Sequence, residues 1–181
     1  MTSPQASRYN HRMIIETERL ILRRFTPDDA EAYFPLVGDA TLNRYTGQDL
    51  VHSVEEAREI LLNYPIRDYG LYGYGRMAVI EKQSGKLIGF SGMKYLTELN
   101  DTDIGYRFLP EAWGKGYATE SATVLMQQVI AEFKLPRVIG MADRKNGGSI
   151  KVLQKLGLAF EREIEVEGYD GMLDLYAWVA G

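Results

Sequence analysis

The sequence predicts a single α/β (α+β) domain: a mixed, mostly antiparallel seven-stranded sheet flanked by about four helices. Three observations carry this expectation. A chain of 181 residues, 45% of them apolar, suits one ordinary domain with a sizeable core. The spacing of apolar residues changes from helical to strand-like at residues 75–109 and back to helical at 115–133. The segments then follow the order strand, two helices, three strands, helix, strand, helix, two strands, which is not the alternation of a doubly wound fold.

A first strand is expected at residues 19–25, with Leu20, Leu22 and Phe25 toward the core. Thr26-Pro27-Asp28-Asp29 supplies an N-cap threonine, a proline at the first helical position and acids in the first turn, ahead of Ala30, Phe34 and Val37. Ser53-Val54-Glu55-Glu56 repeats this as a capping box before Ala57, Ile60, Leu61 and Tyr64. Residues 75–81, 86–95 and 102–109 are rich in β-branched, aromatic and aliphatic side chains and read as a meander, with Gln83-Ser84-Gly85 as its first turn. Ala118, Ala122, Leu125, Val129 and Phe133 form one helical stripe that Leu135-Pro136 stops. A buried strand at 137–141, a helix at 146–156 closed by Gly157, and a hairpin of 159–166 with 172–179 across Gly168 to Gly171 complete the domain. Its span is 14–181, behind a polar, flexible tail at 1–13.

Composition narrows the function. The formal charge of −4 comes from 21 basic and 25 acidic side chains, well mixed, so no global field favours nucleic acid or an anionic membrane. An anionic ligand would need a local site. The absence of cysteine excludes disulfides, a thiolate metal site and a cysteine nucleophile, and His11 and His52 do not make a zinc motif. No apolar run is long enough to span a bilayer, and the N-terminus lacks the apolar core of a secretory signal, so a cytoplasmic protein is expected.

The local site is Trp113-Gly114-Lys115-Gly116-Tyr117-Ala118-Thr119-Glu120, where two glycines stand between a strand end and a helix start. Unpaired amides and the macrodipole at such a helix start attract an anion. A plain connecting turn has the same spacing. A dinucleotide fingerprint fits poorly, because the third glycine is missing and the turn follows a meander; a triphosphate loop is absent.

This segment, Ile104-Gly105-Tyr106-Arg107-Phe108 before it, and Asn146, Ser149, Val152, Leu153, Lys155, Leu156 and Gly157 after it resemble the GNAT superfamily of acyl-CoA N-acyltransferases. With the opening Glu16-Thr17-Glu18-Arg19-Leu20-Ile21-Leu22-Arg23, they are most similar to the RimJ/RimL-type branch of ribosomal-protein N-terminal acetyltransferases. The resemblance implies a splayed sheet with pantetheine between the fourth and fifth expected strands and pyrophosphate on the 114–119 turn. It implies acetyl-CoA as donor, no metal, and a cofactor-binding set of Tyr106, Phe108, Trp113, Gly114, Lys115, Gly116, Tyr117, Ala118, Thr119 and Asn146. Trp113 departs from the Gln or Arg of many members, and Leu153 stands where many relatives place a proton-donating tyrosine, which leaves Ser149 as donor.

In that family an amine attacks the thioester directly, so the protein must supply neutral amine, stabilise an oxyanion and help the thiolate leave. Neutralising a lysine-type amine at pH 7 costs about 4.6 kcal/mol, against about 1 for an α-amine. Asp103 is the expected base, unless it is an exposed turn carboxylate beside Asp101. The resemblance gives the amide of Tyr106 or Phe108 to the acyl carbonyl, with the Tyr106 ring read as core. Asn146 is an N-cap, a pantetheine contact, or both; Ser149 donates to sulfur or simply starts a helix. Tyr45, Thr46, Tyr64, Tyr69, Tyr72 and Tyr74 are the expected acceptor-pocket residues. The expected activity is acetyl transfer to a primary amine, on a protein N-terminus or a small molecule, by a monomer or homodimer. A non-catalytic acyl-CoA sensor is the alternative.

Overall fold

The computed structural model describes residues 13–181. Residues 1–12 of the expected tail lie outside the described residues, and Met13 packs against the main core. Two strands open the chain where one was expected: β1 (Ile14–Glu16) and β2 (Leu20–Arg24) form a hairpin, closed by the Thr17 amide donating to the Leu20 carbonyl at 2.9 Å. Among the described residues the sheet therefore has eight strands, in the order β1-β2-β3-β4-β5-β6-β8-β7. A strand of three residues is too short for alternation to be read from sequence.

Thr26 and Asp29 form the expected capping box, a short 3₁₀ turn leading into α1 (Ala30–Gly38). Ser53 Oγ accepts from the Glu56 amide at 3.1 Å to start α2 (Val54–Leu61). Helix α2 does not stop there. Pro65 has no N–H to give, and the chain widens through a π turn at Leu62–Ile66 and runs on into α3 (Arg67–Tyr72), which Gly73 ends at φ 83°. Ile60, Tyr64, Pro65 and Asp68, from the three parts of this run, line one wall of a cleft. Counting α2 and α3 as one run, four helical runs flank the sheet among the described residues: these, α1, α4 (Tyr117–Phe133) and α5 (Gly147–Lys155). Among the described residues no helix is long and apolar enough to cross a membrane.

The meander is β3 (Arg76–Glu81), β4 (Leu87–Leu96) and β5 (Asp101–Phe108). Period-two alternation divides its side chains between two layers. Ile104 and Phe108 join Met77, Val79 and Met93 in the main core with Leu125 and Val129 of α4. Ala78 and Phe90 belong to the smaller cluster under α1 and α2, the face that also carries Asp103, Gly105 and Arg107.

After α4 come β6 (Arg137–Ala142), α5, β7 (Ala159–Glu165) and β8 (Met172–Val179). Strands β5 and β6 are parallel and share a single register pair, Asp103 opposite Ile139. The sheet opens beyond that pair, and helices α4 and α5 both begin beside the opening. A cleft of about 1360 Å³ runs from there to the loop after α1 and the β7–β8 hairpin.

Candidate active site

Leaving β5, the chain passes a 3₁₀ turn, Pro110–Ala112, and then Gly114 and Gly116 at φ 72° and 80°, left-handed positions that glycine takes without strain. From Gly114 to Thr119 no backbone amide donates to an acceptor among the described residues; the first helical bond is Glu120 to the Gly116 carbonyl at 3.0 Å. Successive free amides around left-handed residues make an anion-binding concavity, here at the head of a helix of 17 residues.

The side chains of this segment divide. Trp113 is 54% exposed, its indole donating to the Phe108 carbonyl at 2.9 Å. Phe108 itself is core. Tyr117 sends its hydroxyl away to Glu81 at 2.7 Å and stacks under Arg19. Ala118 and Thr119 line the cleft, and Lys115 is exposed at the turn. Glu120 anchors the helix start, accepting from Thr17 Oγ1 at 2.6 Å and Arg19 Nε at 2.7 Å.

Across the opening, Asn146 caps α5, its Oδ1 accepting from the Ser149 amide at 3.2 Å, and both residues line the cleft. Tyr106 reaches over from β5, donating to the Ser149 carbonyl at 2.9 Å with its hydroxyl 3.2 Å from Ser149 Oγ. Burial pushes the Tyr106 phenol up, so it stays protonated at neutral pH. The Tyr106 ring is thus only partly core, and sequence gave no sign of its reach to Ser149.

Asp103 is not an exposed turn residue. It lies within β5, 7% exposed, and accepts from Arg76 Nη2 at 2.6 Å. Arg76 also donates to the Asp103 carbonyl at 3.1 Å and to the Gly92 carbonyl. Its guanidinium crosses Gly105, where an added Cβ would stand 2.6 Å from Cζ. Burial pushes the Asp103 carboxyl up, and Arg76 opposes it. A second carboxylate escaped sequence reading: Asp68, 6% exposed, lines the cleft with no hydrogen bond among the described residues. Burial pushes it up too, against the pull of Lys94, whose own ammonium burial pushes down. Asp68 lies just past the π turn, in the first turn of α3, and the apolar stripe of α2 gave no warning of that turn.

Of the expected acceptor residues, Tyr45, Thr46 and Tyr64 line the cleft. Tyr69, Tyr72 and Tyr74 do not. Tyr69 is buried with its hydroxyl between the Phe25 amide and the Arg76 carbonyl, Tyr72 packs on Tyr74 and Tyr95, and Tyr74 bonds Thr102 at 2.8 Å. Tyr33 and Tyr169 line the cleft instead. Tyr169 bonds Asp143, which pushes its phenol up to about 12 together with burial, the larger cause. Gly47, at φ 63°, packs so closely on the hairpin that a Cβ would lie 2.7 Å from the Gly168 carbonyl; the loop after α1 thus meets the β7–β8 hairpin, and both line the cleft.

Residues 19–159, which include both helix starts and the β5–β6 opening, match the acetyltransferase (GNAT) domain family. The chain belongs to the GNAT acetyltransferase family. Its relatives include YoaA of Bacillus subtilis, an uncharacterized N-acetyltransferase, 30% identical over 83% of this chain and 84% of that one. A solved GNAT-family acetyltransferase of Bacillus anthracis superposes with a TM-score of 0.76 at 27% identity, covering 92% of this chain and 98% of that one. The ribosomal-protein-S5-alanine acetyltransferase of Vibrio fischeri shares the fold, with a TM-score of 0.74 at 20% identity over 92% and 96% of the two chains. GNAT acetyltransferases draw their acetyl group from acetyl-CoA.

Proposed function

We propose that the protein moves an acetyl group from acetyl-CoA to a primary amine, of a protein N-terminus or a small molecule, by direct attack in a ternary complex. One observation carries this reading: the free amides of 114–119 and the Tyr106–Ser149 pair border the same cleft on either side of the β5–β6 opening. The amides, with Lys115 and Thr119, would hold the pyrophosphate. Asn146 would touch the pantetheine arm, and the amide of Tyr106 or Phe108 would donate to the acyl carbonyl as charge develops there. The Ser149 hydroxyl, oriented by Tyr106, would protonate the departing thiolate. Trp113, Leu153 and Ser149 favour a RimJ/RimL-type enzyme, and the absence of cysteine suits the cytoplasm.

The test is free-thiol release from acetyl-CoA across α-amine peptides, lysine peptides, polyamines, amino acids and aminoglycosides. No amine-dependent release with any of them would favour an acyl-CoA sensor. Ser149→Ala is expected to lower kcat about 10- to 100-fold with little change in the KM for acetyl-CoA, as for a group that acts only in the transition state. Unchanged kcat would remove Ser149 from the mechanism.

The amine's proton leaves toward a carboxylate facing the cleft, directly or through water. Asp103 has the strand position, but Arg76 already occupies it; Asp68 has no such partner. Asp68→Asn is therefore expected to flatten the acidic limb of kcat/KM against pH, while Asp103→Asn leaves that limb in place. The reverse result assigns the base to Asp103.

A further inference from the structure

Arg107 stands on the α1-facing side of β5 and lines the cleft. Its guanidinium lies 5.2 Å over the ring of Phe90. Nη1 donates to the Leu36 carbonyl at 3.2 Å and to Asn43 Oδ1 at 2.8 Å, and Nη2 reaches Gln48 Oε1 at 3.5 Å. All three acceptors are neutral, and Arg107 takes part in no ion pair among the described residues. The acid on its own strand face, Asp103, is taken by Arg76. An arginine does not shed its proton, and a cation drawn out of water without a counter-ion is costly to keep.

Beside it is an unanswered hydroxyl. Tyr33 is 7% exposed, its ring set against Phe25 at 5.2 Å and Phe90 at 6.2 Å. Its oxygen has no hydrogen-bond partner among the described residues, whereas the hydroxyls of Tyr69, Tyr74, Tyr106, Tyr117 and Tyr169 are all bonded. Tyr33 lies within electrostatic reach of Arg107 and lines the same cleft. Two donors backed by Phe25 and Phe90, with no acid to receive them, suit an oxyanion.

We propose that Arg107 and Tyr33 form an anion subsite within the acceptor site, and that the preferred acceptor is a small primary amine carrying a carboxylate, as a free amino acid does. The inference rests on the acetyltransferase reading above and narrows its acceptor. Arg107 stands on β5 between Tyr106 and Phe108, about 3.4 Å along the strand from each, so a small acceptor anchored there reaches the strand segment assigned to the acyl carbonyl. The approach of Gly47 to the β7–β8 hairpin narrows the way past Arg107, which favours a small molecule over a chain.

The experiment compares matched pairs, alanine with alaninamide and lysine with lysinamide, by thiol release from acetyl-CoA, with aminoethyl phosphate, spermidine and an N-terminal peptide as further arms. The acids are expected to exceed their amides about 10- to 100-fold in kcat/KM, the range of a charge-assisted contact. Arg107→Gln is expected to erase that difference by raising KM for the acid, with KM for acetyl-CoA unchanged. Tyr33→Phe, which removes only the unbonded hydroxyl, is expected to narrow it severalfold and keeps the test valid if Arg107→Gln loosens the loop after α1. Equal rates for acid and amide, or an equal effect of both variants on the two, would reduce Arg107 to a loop anchor and overturn the proposal. So would preference for aminoethyl phosphate, spermidine or the peptide. If no amine supports release, calorimetric titration of alanine and lysine onto the coenzyme A-saturated protein decides. Binding lost in Arg107→Gln sustains the subsite while the acetyltransferase reading fails, and absence of binding ends both.

Discussion

Replacing Arg76 by glutamine is expected to lower folding stability by about 3–5 kcal/mol at neutral pH, the penalty for leaving a buried charge without its partner. Arg76 and Asp103 meet at 2.6 Å with side-chain exposures of 19% and 9%, so water from the cleft replaces the lost guanidinium only in part. The loss should depend on pH in a definite direction. Burial already pushes the Asp103 carboxyl up, and without Arg76 it rises further above the unfolded value of about 3.9. Between those two values the folded protein binds the proton that the unfolded chain releases, so the variant loses stability as pH rises through this window and regains it as pH falls. Urea melts of the variant and the parent at several pH values measure this, and a penalty constant across pH would show that no charged carboxylate had been stranded. The double variant with Asp103→Asn should recover part of the loss, because the charge goes with its partner.

Gly116→Val is expected to raise the KM for acetyl-CoA about 10- to 100-fold, with kcat at saturating donor changed much less. The nearest atom to a Cβ at this position is Arg19 Nη2 at 3.7 Å, so the fold has room for the side chain. The conflict is with the backbone: φ of 80° opposes a β-branched residue by about 1–3 kcal/mol, and relief of that strain turns the amides out of their cradle. Gly85→Val is the control, since Gly85 has φ of 70° in the β3–β4 turn and also has open space around it. It should cost similar stability and leave the KM for acetyl-CoA alone. An equal rise in both variants would refute the cradle.

Legibility in the sequence followed the range of the interaction. The capping boxes at Thr26 and Ser53, the glycine turn at 114–116 and the Asn146 cap are local, and each lies where its own few residues place it. Pairing partners across the fold are not local. Nothing near Asp103 announces Arg76, which arrives through the β3–β4–β5 register, and nothing near Tyr106 announces Ser149, 43 residues on. The cluster of tyrosines after Tyr64 misled for the same reason: Tyr69 and Tyr74 are claimed by Phe25 and Thr102, distant in sequence. Asp68 follows a π turn that composition does not announce, and β1 rests on a pairing too short to leave a pattern.

The single register pair between β5 and β6 has a thermodynamic consequence. Past Asp103 and Ile139 strands β5 and β6 share no further register pair, and along this seam the two halves of the sheet are held by helices and core. A donor lying in that seam would complete the sheet as well as supply the reaction, and its binding free energy would become folding free energy: about 2.7 kcal/mol at a hundredfold excess over Kd. The fraction of this protein that survives heat or proteolysis in a cell would then rise and fall with the supply of the substrate it consumes.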